Sequence, residues 1–199
     1  MKIIIKAGLI GLAAAALVAG VKLASTMENL QTAYNREMNV KALYGAFADK
    51  ADKEGYPGAA GVFRAVAFSE SVHAANHAKA LEALGGKAVE TVKVPPVKGT
   101  KANLEEALKA EINESSTIYP PFVKQAIKEN NPQAVMSLKG AMASESSHAR
   151  LFSKVMKKAS QWKEKIKLLV CRNCGYTSED LNIKFCPFCT HPREEFAEM

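Results

Sequence analysis

The sequence predicts a mainly α-helical protein: a four-helix bundle around a buried polar cluster, followed by a small ribbon caged by cysteines. Three observations carry that expectation. Alanine is abundant and β-branched runs are few in a chain of 199 residues that is 48% apolar and 24% charged, which favours helix in an ordinary globular core. The segment Ser69-Glu70-Ser71-Val72-His73-Ala74 recurs 75 positions later as Ser144-Glu145-Ser146-Ser147-His148-Ala149, so the bundle reads as two helix pairs. All four cysteines fall within the last 29 residues, as two Cys-x-x-Cys pairs, a metal cage rather than a set of loop-closing disulfides. The length suits one ordinary domain plus a small appendage.

Residues 1–24 come first. Lys2 and Lys6 precede fifteen uncharged residues, Ala7 to Val21, and Lys22 follows. That falls short of the roughly 20 apolar residues of a spanning helix. It fits the charged head and apolar middle of a signal peptide, with Val18-Ala19-Gly20 as a small-residue cleavage site. With Ile3 to Ile5 included and Lys6 snorkelling, it also fits a marginal membrane anchor. Export or tethering is therefore the favoured expectation. An alanine-rich helix packed on a cytoplasmic bundle is the alternative.

The bundle is expected over residues 27–165. Leu30, Ala33, Tyr34, Val40, Leu43, Tyr44 and Phe47 recur near helical spacing from Met27 to about Asp52. Lys53 to Pro57 breaks this helix, and a second runs from Pro57 to Leu84, ended by Gly85-Gly86. The stretch through Pro95-Pro96 has no helical period and is long enough to cross from one end of a bundle to the other. A third helix starts near Asn103, a capping residue ahead of Glu105 and Glu106. It reaches about Lys128 with a bend at Pro120-Pro121. The fourth spans Pro132 to Lys165, and Ile166 to Val170 is the hinge into a second domain, 166–199.

The net charge of +7 is modest, and seven basic residues lie between Arg150 and Lys167 against a single Glu164. Phe152 and Trp162 are the only aromatics among them, so the run reads as a solvated face and no nucleic-acid partner is expected.

Glu70 and His73 are three apart on a helix and share a face, as do Glu145 with His148 and Glu111 with Glu114. Glu37 lies 33 residues before Glu70, and Glu111 lies 34 before Glu145. Ala67, Phe68 and Val72 flank one pair and Ala141, Met142 and Ala143 the other, so these positions face the core. An unpartnered buried carboxylate costs several kcal/mol. Five glutamates and two histidines converging on one core therefore call for cations. Oxygen-rich ligation with two imidazoles suits iron or manganese, and a Glu-x-x-His on each of two helices with a Glu from the others is a recurring di-metal pattern. His77, four residues on from His73, reads as helix face or as a partner to the ligands.

Cys171-Arg172-Asn173-Cys174 and Cys186-Pro187-Phe188-Cys189 stand eleven residues apart. Four thiolates so spaced make a tetrahedral site for iron or zinc. Gly175 relieves the tight turn that aims backbone N–H groups at the sulfurs.

From Glu28 to Met199 the sequence resembles rubrerythrin. The stretches ENLQTAYNREM and FADKADKEGY, both Ser-Glu-x-x-His segments, and CRNCGY with CPFCTHP match that family in order and spacing. The resemblance implies a ferritin-like bundle with two non-haem irons on Glu37, Glu70, His73, Glu111, Glu114, Glu145 and His148. It also implies a rubredoxin-like iron on Cys171, Cys174, Cys186 and Cys189, with Tyr44 and Tyr119 beside the iron pair. One iron would exchange His73 for Glu114 between redox states. The implied activity is reduction of hydrogen peroxide to water in oxidative-stress defence, in an anaerobic or microaerophilic cell. Electrons would come from a reduced pyridine nucleotide through a reductase, or from another rubredoxin, in a homodimer. An iron-oxidising or iron-storage bundle is the alternative, and a zinc-bound interaction ribbon is another. The N-terminal segment departs from a family whose members are usually cytoplasmic.

Overall fold

The computed structural model describes residues 24–158 and 160–199. The expectation of a membrane-directing segment falls, but for Ala24, outside the described residues. Among those described, no helix is long and apolar enough to cross a membrane.

Helix α1 (Thr26–Lys53) opens on a capping box: the Ser25 hydroxyl accepts from the Glu28 N–H, and the Glu28 carboxylate accepts from the Ser25 N–H. Gly55, at φ 78°, turns the chain out of it. Helix α2 (Pro57–Ala83) begins at a proline whose missing N–H costs nothing there. The third rod is compound: α3 (Thr100–Asn113), a π-helical turn (Glu114–Ile118) and α4 (Tyr119–Lys128). It starts three residues ahead of the expected Asn103. That residue lies inside the first turn, where its buried amide exchanges hydrogen bonds with the Lys98 N–H and C=O. The irregularity expected at Pro120-Pro121 falls just before it, in the π turn, because prolines fit the first turn of α4. Helix α5 (Pro132–Lys157) is shorter than predicted, and a single turn, α6 (Ser160–Lys163), follows.

Between α2 and α3 the crossover runs extended beside α1. Gln31, Asn35 and Asn39, one helical turn apart, accept from the N–H groups of Val89, Thr91 and Lys93. Gln31 and Asn39 also donate to the carbonyls of Val89 and Thr91.

The core has two apolar layers. In one, the rings of Tyr44, Phe47, Phe63 and Phe152 pack with centroids 5.4–5.9 Å apart. The other contains Leu30, Leu81, Tyr119 and Leu138. Along all four rods the polar cluster lies between these layers.

After α6 the chain forms a three-stranded antiparallel sheet, order β2-β1-β3, from β1 (Leu169–Cys171), β2 (Thr177–Ser178) and β3 (Phe196–Glu198). The segment expected to act only as a hinge does more. Leu168 and Val170 join the aromatic layer of the bundle, while Leu169 and Cys171 enter the ribbon's own core. A strand's alternation thus ties the two parts together.

The aromatic layer is fully buried, so Phe152→Ala should cost about 3–5 kcal/mol. Denaturant unfolding of the iron-loaded protein measures this, and a loss below about 1 kcal/mol would refute the packing described.

Candidate metal centres

The helices deliver the predicted polar side chains to one layer. Glu37, Glu70, Glu111, Glu145 and His148 have no exposure, and Glu114 and His73 have 1%. Two groups form, Glu37-Glu70-His73-Glu145 and Glu70-Glu111-Glu145-His148, each with its ligand atoms all within 4.8 Å of one another. Glu70 and Glu145 belong to both, as carboxylates bridging two ions would. His73 Nδ1 stands 2.7 Å from Glu70 and 3.2 Å from Glu145. His148 Nδ1 stands 2.8 Å from Glu145, 3.2 Å from Glu111 and 3.3 Å from Glu70. The two rings mirror each other, with centroids 5.9 Å apart.

Both imidazoles turn Nδ1 inward and Nε2 outward. Nε2 of His73 lies 3.4 Å from Ser69 Oγ, and Nε2 of His148 lies 3.2 Å from Thr177 Oγ1. With the proton on Nε2, each Nδ1 lone pair is left for a metal.

A test of fit comes from the unsatisfied atoms. Glu37 Oε2, Glu70 Oε1 and Glu145 Oε1 are buried without a hydrogen-bond partner, although orphaned buried acceptors are rare. The proton affinities tell the same story. Burial pushes Glu111 up to about 8, and burial together with neighbouring carboxylates raises Glu70 and Glu114. Burial would strip a proton from His73 and His148, yet the glutamates hold both well above the usual histidine value. A cluster that competes this strongly for protons is one that cations would neutralise. The residues fit a pair of metal ions.

Tyr44 donates to Glu111 Oε1 at 2.5 Å, and Tyr119 donates to Glu37 Oε1, so both hydroxyls reach the polar layer. Glu114 stands outside both groups. It opens the π turn, and its Oε1 lies 2.5 Å from the Arg36 guanidinium. His77 is buried, between Tyr119 and Ser137. Burial lowers its proton affinity against the pull of Glu37.

The four cysteines meet as expected. All are free thiols, with Cys171 and Cys189 sulfurs 3.6 Å apart and Cys174 and Cys186 sulfurs 3.5 Å apart. His191 Nδ1 lies 3.3 Å from the Cys189 sulfur at the exposed edge of the cage.

Sequence reasoning missed how the cage meets the bundle. Ser69 Oγ donates to the Gly175 carbonyl at 2.6 Å, and Ser144 Oγ donates to the Cys174 carbonyl at 3.2 Å. Asn76 donates to the Asn173 carbonyl at 2.8 Å. Gly175 has φ +79°, and a Cβ there would lie 2.2 Å from His73 Nε2, so only glycine lets the knuckle approach. The signal was in the repeat: a serine immediately precedes the glutamate in both copies. Arg36, the counterion of Glu114, left no comparable trace.

The model of the rubrerythrin family matches residues 28–156. Rubrerythrin-2 of Clostridium acetobutylicum is 31% identical over 179 residues, covering 88% of this chain and 97% of the relative. Nigerythrin of Nitratidesulfovibrio vulgaris is 33% identical over 173 residues, covering 86% and 85%. The solved structure of fully reduced, all-ferrous nigerythrin superposes with a TM-score of 0.83 at 28% identity over the whole of both chains. Donor set and likeness together make the bundle cluster a di-iron centre and the cysteine cage a single-iron centre.

Because Glu70 and Glu145 serve both metal groups, Glu70→Ala or Glu145→Ala should cut iron from about three to about one per chain. The visible absorbance of the cysteine-bound iron should survive, and retention of about three irons would refute the shared role. Gly175→Ala should force the ribbon off His73. Limited proteolysis between Lys158 and Lys167 should then speed up about tenfold, equivalent to about 1.4 kcal/mol of docking, and an unchanged rate would refute the contact.

Proposed function

The chain belongs to the rubrerythrin family, and on that premise we propose that it is a non-haem di-iron peroxidase reducing hydrogen peroxide to water in oxidative-stress defence. The observation that carries this reading is the seat of the ribbon. Consecutive carbonyls of the cysteine knuckle are held by serines that each precede a glutamate common to both donor groups. A storage bundle has no use for such a junction, whereas a peroxidase needs an electron entry beside its site.

When bound, the iron pair supplies one electron per ion and a Lewis-acidic seat for the peroxide oxygens. The protein's own groups do the rest. Glu70 and Glu145 would serve both ions, with His73 completing one donor group and His148 the other. The apolar layers exclude bulk water, which strengthens every charge interaction within. Tyr44 and Tyr119 hold Glu111 and Glu37 in place through hydroxyl bonds. On the ribbon side, Thr177 and the carbonyls of Cys174 and Gly175 join the cage to the His148 and His73 helices by single hydrogen bonds. Electrons arriving at the half-buried Cys189 have a short hydrogen-bonded route inward. A reduced pyridine nucleotide acting through a reductase, or another rubredoxin, completes the proposed donor chain, and a homodimer is the proposed assembly.

Cys174→Ser in the full chain should remove the cysteine-bound iron and lower donor-driven peroxide turnover more than about tenfold. A single oxidation of the prereduced bundle by stoichiometric peroxide should remain. Undiminished donor-driven turnover would refute the relay, and faster oxidation by oxygen than by peroxide would refute the peroxidase. We also propose that residues 1–24 direct the protein to or across a membrane, on the strength of the uncharged run Ala7 to Val21. If the full chain and one starting at Ser25 both fractionate with soluble cytoplasm, the N-terminus intact, that localisation is wrong.

A further inference from the structure

The two metal groups leave one buried carboxylate over. Glu37, Glu70, Glu111 and Glu145 supply four carboxylates to the donor groups, and Glu114 stands in neither. It is buried all the same, repelled by Glu37, Glu145 and Glu111 and attracted by Arg36. Arg36 Nη2 lies 2.5 Å from Glu114 Oε1, a charge-assisted hydrogen bond as well as an ion pair. Arg36 Nε is buried without a partner, so Glu114 is the acceptor that the inner side of the guanidinium has found. The backbone beneath Glu114 departs from the regular helix. Glu114 opens the π turn, and the hydroxyls of Ser115 and Ser116 take up the carbonyls of Glu111 and Ile112. Such turns inside helices are frequent at functional sites, where they shift a side chain out of the helical register. Arg36 itself adjoins Glu37 on α1 and keeps 36% of its side chain exposed.

We propose that Arg36 is a latch on Glu114, holding this carboxylate off the di-iron centre and so favouring the ferrous pair. Two ferrous ions bring four positive charges, and the four carboxylates of the donor groups match them. Glu114 is matched separately, by Arg36. Loss of one electron from each ion leaves two positive charges unmatched in a layer that excludes water, where unbalanced charge is costly. The ferric pair therefore pulls harder on Glu114 than the ferrous pair does, and the Arg36 ion pair opposes that pull. Arg36 belongs to neither donor group and acts through Glu114, as a positioning residue. The latch needs only the di-iron centre, whatever oxidant that centre meets, so it goes beyond the peroxidase reading and does not rest on it.

An anaerobic redox titration of the iron-loaded protein, read against the cysteine-bound iron in the same sample, tests the latch. Arg36→Gln keeps a hydrogen-bond donor for Glu114 and removes the charge, whereas Arg36→Lys keeps the charge. At a fixed potential Arg36→Gln should shift the bundle pair about tenfold toward ferric, a midpoint lower by about 30 mV for a two-electron couple. Arg36→Lys should hold the parent's midpoint. In a Glu114→Gln background the same Arg36→Gln change should shift the ratio less than about twofold, because the latch has no charge left to hold. A parent-like midpoint in Arg36→Gln, the same fall in Arg36→Lys, or an equal shift with and without the Glu114 charge overturns the latch. If a variant fails to load two bundle irons, a crystal structure of the fully reduced parent decides. Glu114 on Arg36 there supports the latch, and Glu114 bound to iron overturns it. None of these measurements uses peroxide, so the peroxidase reading stands or falls on its own test.

Discussion

Five carboxylates and two imidazoles share a layer from which water is excluded, and the cost of holding them there sets terms for the rest of the fold. Cations relieve most of that cost, but only if the ligands stay within a few ångströms of one another with the chain under no freedom to scatter them. The rods supply this rigidity. Apolar layers lie on either side of the cluster, so a ligand that moved outward would meet hydrocarbon rather than solvent. Tyrosine hydroxyls anchor Glu37 and Glu111, and the Arg36 guanidinium balances Glu114, which stands apart from the pair. The fold is thus arranged less to bury apolar surface than to keep a set of mutually repelling groups in register for their ions.

The ribbon meets this layer through main-chain atoms. Three successive carbonyls, of Asn173, Cys174 and Gly175, are received by Asn76, Ser144 and Ser69. The two serines occupy equivalent places in the two halves of the bundle, so its internal pseudo-symmetry is read by a segment that has none. Main-chain recognition also fixes the distance of approach, since Gly175 has no side chain to hold the His73 ring away. The cage and the bundle are two metal sites but one packed body, with Leu168 and Val170 on the bundle side of a strand whose other face belongs to the cage.

Much of this was legible in the sequence because metal ligation imposes spacings that chance seldom supplies. Glu-x-x-His written twice, with glutamates in register upstream, specified both helix pairs and the positions that meet. Cys-x-x-Cys written twice specified the cage. What the spacing could not convey was anything made by the backbone or by a single residue. The π turn at Glu114 arises from local geometry that no period announces. Helix α5 ends at Lys157, where Lys158 turns extended with no glycine or proline to mark the stop. Asn103 looked like a cap because asparagine commonly is one, yet its amide closes a loop on Lys98 from inside the helix. His77 looked ordinary because its partners, Tyr119 and Ser137, lie 42 and 60 residues away.

The crossover beside α1 has a consequence for how this chain tolerates change. Gln31, Asn35 and Asn39 grip the N–H and C=O groups of alternate residues, as a neighbouring strand would. A grip on the backbone is indifferent to side chains. Lys87, Glu90, Lys93 and the valines among them can drift without loosening the strap, whereas the three amides on the helix cannot. Sequence divergence among relatives should therefore pool in the strap and thin out on the helix face beneath it. An insertion there would have to come in pairs of residues to keep the alternation. The strap is the part of the molecule where evolution can write most freely while the architecture holds still.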